Sequence, residues 1–138
     1  MYNIGIVDDD KAFIAYMKRL LQSGAWEGER VIFYEYSSGE ELVAHMQEQA
    51  VYDLLILDIQ LTGMDGHEAA RKFRKLHPDT VLVFCSGVFL PTVEAFETTP
   101  FRYLLKEYSE ERMRGGTGGG FKQNEGTQGD SISEREKG

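Results

Sequence analysis

The sequence predicts an α/β fold in which helices cover both faces of a parallel sheet. Two observations indicate this class: short, continuous apolar runs suited to buried strands alternate along the chain with amphipathic stretches suited to helices. The 138 residues, 41% of them hydrophobic, are enough to build one core. Strand–helix alternation of this kind favours parallel strands joined by right-handed crossovers.

Five short apolar runs are the predicted strands, at residues 3–7, 31–36, 54–57, 81–85 and 101–105. Five such strands suit a flavodoxin-like, doubly wound parallel sheet in the order 2-1-3-4-5. In that order the first and third strands are neighbours. The carboxyl ends of the strands then meet at the crevice where folds of this kind place their chemistry.

The stretches between these runs carry apolar residues at helical spacing. Ser37 or Ser38 is the predicted cap of the second helix, Gly24 ends the first, and 66–76 forms the third. A short helix is expected over 92–98. The residues predicted to face the core from the first three helices are Phe13, Met17, Leu20, Leu21, Leu42, Val43, Met46, Ala50, Ala69, Ala70, Phe73 and Leu76.

The composition changes sharply near Arg114. Residues 1–114 are predicted to form one globular domain and residues 115–138 a disordered, glycine-rich tail. The tail holds eight of the chain's fifteen glycines, and its large apolar residues are Phe121 and Ile132. These are too few to offset the entropy lost on ordering the segment.

Charge and cysteine usage exclude several classes of protein. A net charge of -8 argues against direct binding of nucleic acid, which needs clustered basic residues. There is neither an apolar run long enough to span a membrane nor a signal peptide at the N-terminus. The single cysteine, Cys85, lies in an apolar run and is an expected core residue. We therefore expect a cytoplasmic protein that acts without a membrane.

Polar side chains stand where the predicted strands end: Asp8, Asp9, Asp10, Asp58, Ser86 and Lys106. Carboxylates that converge at one sheet edge repel one another unless a cation lies among them, and carboxylate oxygens suit Mg²⁺. Such an ion would keep Asp58 ionised and nucleophilic toward phosphorus. Lys106 would offset phosphoryl charge and Ser86 would donate a hydrogen bond to a phosphoryl oxygen. The pattern predicts a phosphoryl-transfer site with Mg²⁺ as its cofactor.

Four motifs, taken in order, carry a family resemblance. They are IVDDD at 6–10, LILDIQLTGMDG at 55–66, VFCSG at 83–87 and FRYLLK at 101–106. Over roughly residues 3–108 the chain resembles the receiver domain of two-component response regulators. The joint order of the motifs is far more specific than any one of them. The stretch VEAFETTPFRYLLK further resembles receivers of LytTR-type transcription regulators.

The resemblance implies a phosphoacceptor and a metal site. It implies that Asp58 accepts phosphate from a sensor histidine kinase. Asp8 and Asp9 match the acidic pair that holds Mg²⁺ together with Asp58, and the main-chain carbonyl of Gln60 matches the remaining protein ligand.

The resemblance also implies a conformational switch. Ser86 matches the switch hydroxyl, Lys106 the phosphate-contacting lysine, and Tyr103 the aromatic residue that changes rotamer on activation. A domain of this kind is not an enzyme beyond its own phosphorylation and dephosphorylation. It would pass the signal to a DNA-binding output domain, absent after this chain, through a phosphorylation-linked homodimer.

The chain departs from the family pattern at three places. Thr62 and Glu107 stand where the family usually has proline, so the resemblance leaves the orientation of Lys106 open. The last helix, at 109–114, is shortened, and Met113 and Tyr108 are the residues left to cover the sheet. Reduced stability or self-association is the expected consequence.

These residues also allow other interpretations. Asp8-Asp9-Asp10 alone could simply cap a helix, and the three histidines, which lack metal-ligand spacing, are expected on the surface. A Mg²⁺-dependent, haloacid-dehalogenase-like phosphatase is the alternative function, although its D-x-D pattern belongs on the first strand. A flavodoxin-like cofactor binder is disfavoured because three acids follow that strand and would repel a phosphate.

Overall fold

Parallel pairing joins the five strands in the described part of the chain into one sheet. The computed structural model describes residues 1–24, 26–87, 98, 100 and 102–119. The sheet has the order β2-β1-β3-β4-β5, as the sequence predicts. The strands are β1 (Tyr2–Val7), β2 (Val31–Tyr36), β3 (Leu54–Leu57), β4 (Val81–Ser86) and β5 (Arg102–Leu105).

Each α-helix of the described residues begins at a side chain that caps it. The helices are α1 (Lys11–Gln22), α2 (Gly39–His45) with a 3₁₀ turn at Met46–Glu48, α3 (Gly66–Leu76) and a C-terminal helix at Glu110–Arg114. Asp10, Ser38, Asp65 and Ser109 accept hydrogen bonds from main-chain N–H groups of the first turns. These bonds satisfy donors that a helix start leaves without partners. Ser38 is thus the cap of α2.

Two apolar layers cover the sheet. All four residues of the central strand β3 are buried, as a strand covered on both faces requires. One layer contains α1 and Met113 of the C-terminal helix, and the other contains α2 and α3. Cys85 is buried in the first layer, as predicted, and burial raises the pKa of its thiol to about 12.

Some predicted core positions are wrong. Leu76 is 48% exposed because it is the last residue of α3, whose buried stripe ends at Phe73. Ala50 is exposed because α2 and its 3₁₀ turn end before it. His77, expected on the surface, is buried: its ring stacks on Phe73, and its Nε2 lies 2.8 Å from the main-chain oxygen of Met46.

The C-terminal helix continues past the predicted domain boundary at Arg114. A wider, π-type helical turn follows at Gly115–Gly119, and Thr117 within it is buried. The indole N–H of the buried Trp26 donates to the carbonyl oxygen of Thr117 at 3.0 Å. The rest of the predicted tail, 120–138, lies outside the described residues.

Two further expectations concern the short helix over 92–98 and membrane-spanning helices. The short helix predicted over 92–98 also lies outside the described residues, apart from Thr98. Within the described part of the chain, every helix is too short or too polar to cross a membrane.

Candidate functional site

The register of the sheet brings the acidic strand ends together. Val7 at the end of β1 pairs with Leu57 at the end of β3, so Asp8 and Asp58 follow paired residues. The N–H of Asp58 donates to the carbonyl oxygen of Val7 at 3.0 Å. Both side chains therefore leave the same edge of the sheet from neighbouring strands.

Three carboxylates form what we call the acidic cluster: Asp8, Asp9 and Asp58. An oxygen atom of each lies within 4.8 Å of those of the other two. Asp8 is 1% exposed and Asp58 is 3% exposed, whereas Asp9 is exposed. The cluster is thus two buried carboxylates with a third at the rim.

Main-chain donors orient the two buried carboxylates. The N–H of Asp10 donates to Asp8 Oδ1 at 2.9 Å, and the N–H of Gln60 donates to Asp58 Oδ1 at 3.0 Å. In each case the donor lies two residues further along the same loop, the geometry of an Asx turn. Each carboxylate therefore keeps its Oδ2 atom directed at the interior of the cluster.

Lys106 supplies the positive charge beside these oxygens. Its Nζ lies 2.9 Å from Asp8 Oδ2 and 3.3 Å from Asp58 Oδ2. The residue follows β5, and its N–H donates to the carbonyl oxygen of Ser86 at 2.8 Å. The fifth strand thus delivers its lysine to the carboxylates of the first and third strands.

The surroundings of Asp8 and Asp58 disfavour the ionised form of both carboxylates. Burial raises the pKa of Asp8, and the contact with Lys106 offsets this only in part. Burial also raises the pKa of Asp58, a shift that the Gln60 N–H opposes and the charge of Asp8 reinforces. Burial on its own lowers the pKa of Lys106, but contacts with Asp8 and Asp58 outweigh it and leave that pKa raised. One ammonium group does not balance this much buried negative charge.

The donor set fits a small, hard divalent cation. Asp8 Oδ2 is buried and accepts no well-aligned hydrogen bond from the described residues, although Lys106 lies close. Carboxylate oxygens grouped this closely are the ligands Mg²⁺ takes, usually one or two of them with water. Asp8, Asp9 and Asp58 are therefore the residues that could hold such an ion.

The other predicted site residues lie nearby in different settings. Ser86 is fully buried, and its hydroxyl donates to Gln60 Oε1 at 3.5 Å, a long contact. Tyr103 on β5 is half-buried, and its ring centroid is 6.2 Å from that of Phe84 on β4. Ser86 thus faces the loop that follows β3, and Tyr103 packs on the apolar layer of α2 and α3.

One residue at the site was not predicted as part of it. The apolar spacing predicts Phe13 on the core-facing side of α1, and the structure places its ring centroid 4.7 Å from Lys106 Nζ. No spacing rule links a position on α1 to one 93 residues later, at the end of β5 (106 − 13). The sequence carries no signal for this contact.

Comparison with known proteins identifies the family. The model of the response regulator receiver domain matches residues 4–115, most of the chain. The chain therefore belongs to the family of response regulator receiver domains.

Curated relatives include LytTR-type regulators. The chain is 29% identical over 111 residues to the positive alginate biosynthesis regulatory protein of Pseudomonas aeruginosa. This alignment covers 80% of this chain and 44% of that protein. The chain is 30% identical over 114 residues to the sensory transduction protein LytT of Bacillus subtilis, covering 83% and 46%. The chain thus spans less than half the length of these relatives.

Solved structures share the fold. The response regulatory domain of protein mrkE from Klebsiella pneumoniae gives a TM-score of 0.71 at 24% identity, covering 83% of this chain and 90% of that one. A CheY-like receiver domain protein from Methanospirillum hungatei gives a TM-score of 0.70 at 22% identity, covering 100% and 99%. These likenesses agree with the five-stranded order of the sheet.

Proposed function

We propose that this receiver domain accepts a phosphoryl group on Asp58 from a sensor histidine kinase, in a step that depends on Mg²⁺. The observation that carries the proposal is the acidic cluster with Lys106 beside it. Asp58 is the member that follows the central strand β3 and contacts Lys106, which suits it to be the acceptor. Asp8 and Asp9 are proposed to hold the metal with Asp58 and the main-chain carbonyl of Gln60.

The proposed reaction transfers a phosphoryl group from a histidine nitrogen of the donor to an oxygen of Asp58. An Oδ atom of Asp58 attacks phosphorus and forms the acyl-phosphate bond, while the bond between phosphorus and the donor's histidine nitrogen breaks. The electron pair of the broken bond stays on the departing imidazole, which takes a proton from solvent. Bound Mg²⁺ would supply charge neutralisation for the phosphoryl oxygens.

The protein's own residues stabilise the transferred group. Lys106 Nζ already lies 3.3 Å from Asp58 Oδ2, close enough to bind a phosphoryl oxygen attached to that carboxylate. The hydroxyl of Ser86 makes a long contact of 3.5 Å with Gln60 Oε1, and in the phosphorylated state it would turn toward a phosphoryl oxygen. Ser86 thus has a switching role, and Tyr103 on the adjacent strand follows it inward.

The output of this switch is proposed from the relatives. They include a sensory transduction protein and a biosynthesis regulatory protein more than twice as long as the matched region. We assign this domain to the control of transcription through a DNA-binding domain of the LytTR type, with a phosphorylation-linked homodimer as the active form. The domain regulates, and catalyses at most its own phosphorylation and dephosphorylation.

Intact-mass measurement tests the phosphoacceptor. Incubation with Mg²⁺ and acetyl phosphate should add a single phosphoryl group to the wild-type protein. Asp58→Asn should abolish the gain, because an amide oxygen is a poor nucleophile. Asp79→Asn is the matched control: Asp79 is exposed and lies before β4, at the opposite edge of the sheet, so this variant should gain the group normally.

Two results would overturn the proposal. A full phosphoryl gain by Asp58→Asn would remove Asp58 as the acceptor. Steady release of inorganic phosphate from a phosphoester, over many turnovers, would instead identify the phosphatase alternative.

A further inference from the structure

A closed circuit of contacts links Lys106 to the first turn of α1. Asp8 Oδ1 accepts from the N–H of Asp10, and Asp10 Oδ1 accepts from the N–H groups of Ala12 at 2.9 Å and Phe13 at 3.3 Å. The ring of Phe13 lies under Lys106 Nζ, with 4.7 Å from the nitrogen to the ring centroid. Lys106 Nζ then returns to Asp8 Oδ2 at 2.9 Å.

The position of the Phe13 ring is fixed from two sides. The cap at Asp10 determines where α1 begins, and hence the direction in which its third residue points. The ring also packs against the apolar layer that contains α1 and Met113. An anchored aromatic ring can hold a cation because its face carries partial negative charge.

Lys106 needs such an anchor. Its side chain is flexible, with four rotatable carbon–carbon links to the ammonium group, and is 25% exposed. Its shorter ion pair is with Asp8, a carboxylate proposed to bind the dication. A dication that binds Asp8 competes for that partner, whereas the face of Phe13 binds no metal and stays available to the ammonium group.

We infer that Phe13 is a positioning residue for Lys106: its ring holds the ammonium group over the acidic cluster, within reach of the phosphoryl group on Asp58. This role rests on the proposed function, because Lys106 has phosphorus chemistry to serve only if Asp58 is phosphorylated. The contact itself is independent of that function and is measurable without metal or phosphodonor.

The kinetic test compares two phenylalanines. Phe13→Leu should slow Mg²⁺-dependent phosphorylation by acetyl phosphate about two- to fivefold, the effect of a partly exposed cation–π contact. Phe33→Leu is the matched control. Phe33 lies on β2 and packs against the same apolar layer as Phe13, and its ring centroid is 5.6 Å from Lys18 Nζ. Phe33→Leu should leave the rate unchanged, and Phe13→Tyr should retain it.

A second arm separates positioning from general packing. In a Lys106→Met background, itself slowed, Phe13→Leu should cause no further loss, since the group it positions is gone. In the metal-free protein, ring-current shielding should move the Lys106 ε-methylene protons upfield, and Phe13→Leu should remove that shift. This NMR readout does not involve phosphorylation, so a failure of the proposed function leaves it unaffected.

Three results would overturn the inference. The first is a Phe13→Leu rate equal to that of Phe33→Leu. The second is an undiminished effect of Phe13→Leu when Lys106 is methionine, which would show that the ring acts elsewhere. The third is a Lys106 ε-methylene shift that does not change on removal of the ring.

Discussion

Removal of residues 115–138 should lower the free energy of unfolding, because it removes the segment that packs against the protein's only tryptophan, Trp26. Trp26 is buried, and its indole N–H donates to the Thr117 carbonyl, so the truncation removes this hydrogen bond and opens the indole to water. The lost hydrogen bond costs about 0.5–1.5 kcal/mol, because water replaces its acceptor. Loss of Gly116, which packs against Leu104, exposes apolar surface and adds about 1 kcal/mol. The expected loss is about 1.5–2.5 kcal/mol, a large part of a typical free energy of unfolding of about 5–15 kcal/mol.

Urea unfolding followed by tryptophan fluorescence measures this loss. With a slope of about 2 kcal/mol per molar urea, the midpoint should fall by about 1 M. The folded-state emission should also shift to the red as the indole meets water. The control truncation removes residues 120–138 alone, keeps Thr117, and should match the full chain. Equal midpoints and equal emission for the two truncations would refute the docking of Gly115–Gly119 onto Trp26.

Three further predictions concern the site. Asp9→Asn should weaken Mg²⁺ binding by about tenfold or more in calorimetric titration because it removes a charged ligand, whereas Asp10→Asn, which retains the helix cap, should bind normally; equal affinities would exclude Asp9 as a ligand. Burial raises the pKa of both buried aspartates of the acidic cluster above 3.8. Between 3.8 and the raised pKa values, the metal-free folded state therefore binds more protons than the unfolded chain. The urea midpoint, measured in the presence of chelator, should therefore rise as the pH falls from neutrality through the raised pKa values. The Asp58→Asn variant is the control, because it lacks one of the two titrating groups. A wild-type midpoint that falls relative to that of this variant over the same pH range would contradict the predicted direction. Gly66→Ala should destabilise the domain by about 1–3 kcal/mol and slow phosphorylation, because its Cβ would overlap the main chain of Asp58 and Ile59. Gly115→Ala, with open space around it, should instead stabilise by about 0.4–1 kcal/mol, and equal urea midpoints for the two variants would contradict the crowding at Gly66.

The strands and the acidic cluster were predictable from the sequence for one physical reason. A buried parallel strand must be continuously apolar, which marks the run at 54–57, and its first polar residue then lies at the sheet edge. Asp8 and Asp58 therefore converge once the strand order is known. Local patterns also narrowed the cap of α2 to Ser37 or Ser38, since capping depends on neighbours in the chain.

Contacts between distant side chains could not be predicted in this way. The bond from Trp26 to Thr117 joins a loop to a glycine-rich segment whose composition indicates disorder. Burial of His77 depends on Phe73 and on the carbonyl of Met46, 31 residues earlier. Composition and periodicity describe one segment at a time, whereas these positions are decided by what the fold places opposite them.

Chemical trapping of the phosphorylated residue tests the central claim most directly. Borohydride reduces an aspartyl phosphate to homoserine, and peptide sequencing by mass spectrometry then locates the reduced residue. After incubation with Mg²⁺ and acetyl phosphate, homoserine should be found at position 58 and nowhere else, and none should form in the presence of chelator. Homoserine at position 8 or 9, or its formation without a divalent cation, would contradict the assignment of acceptor and metal ligands.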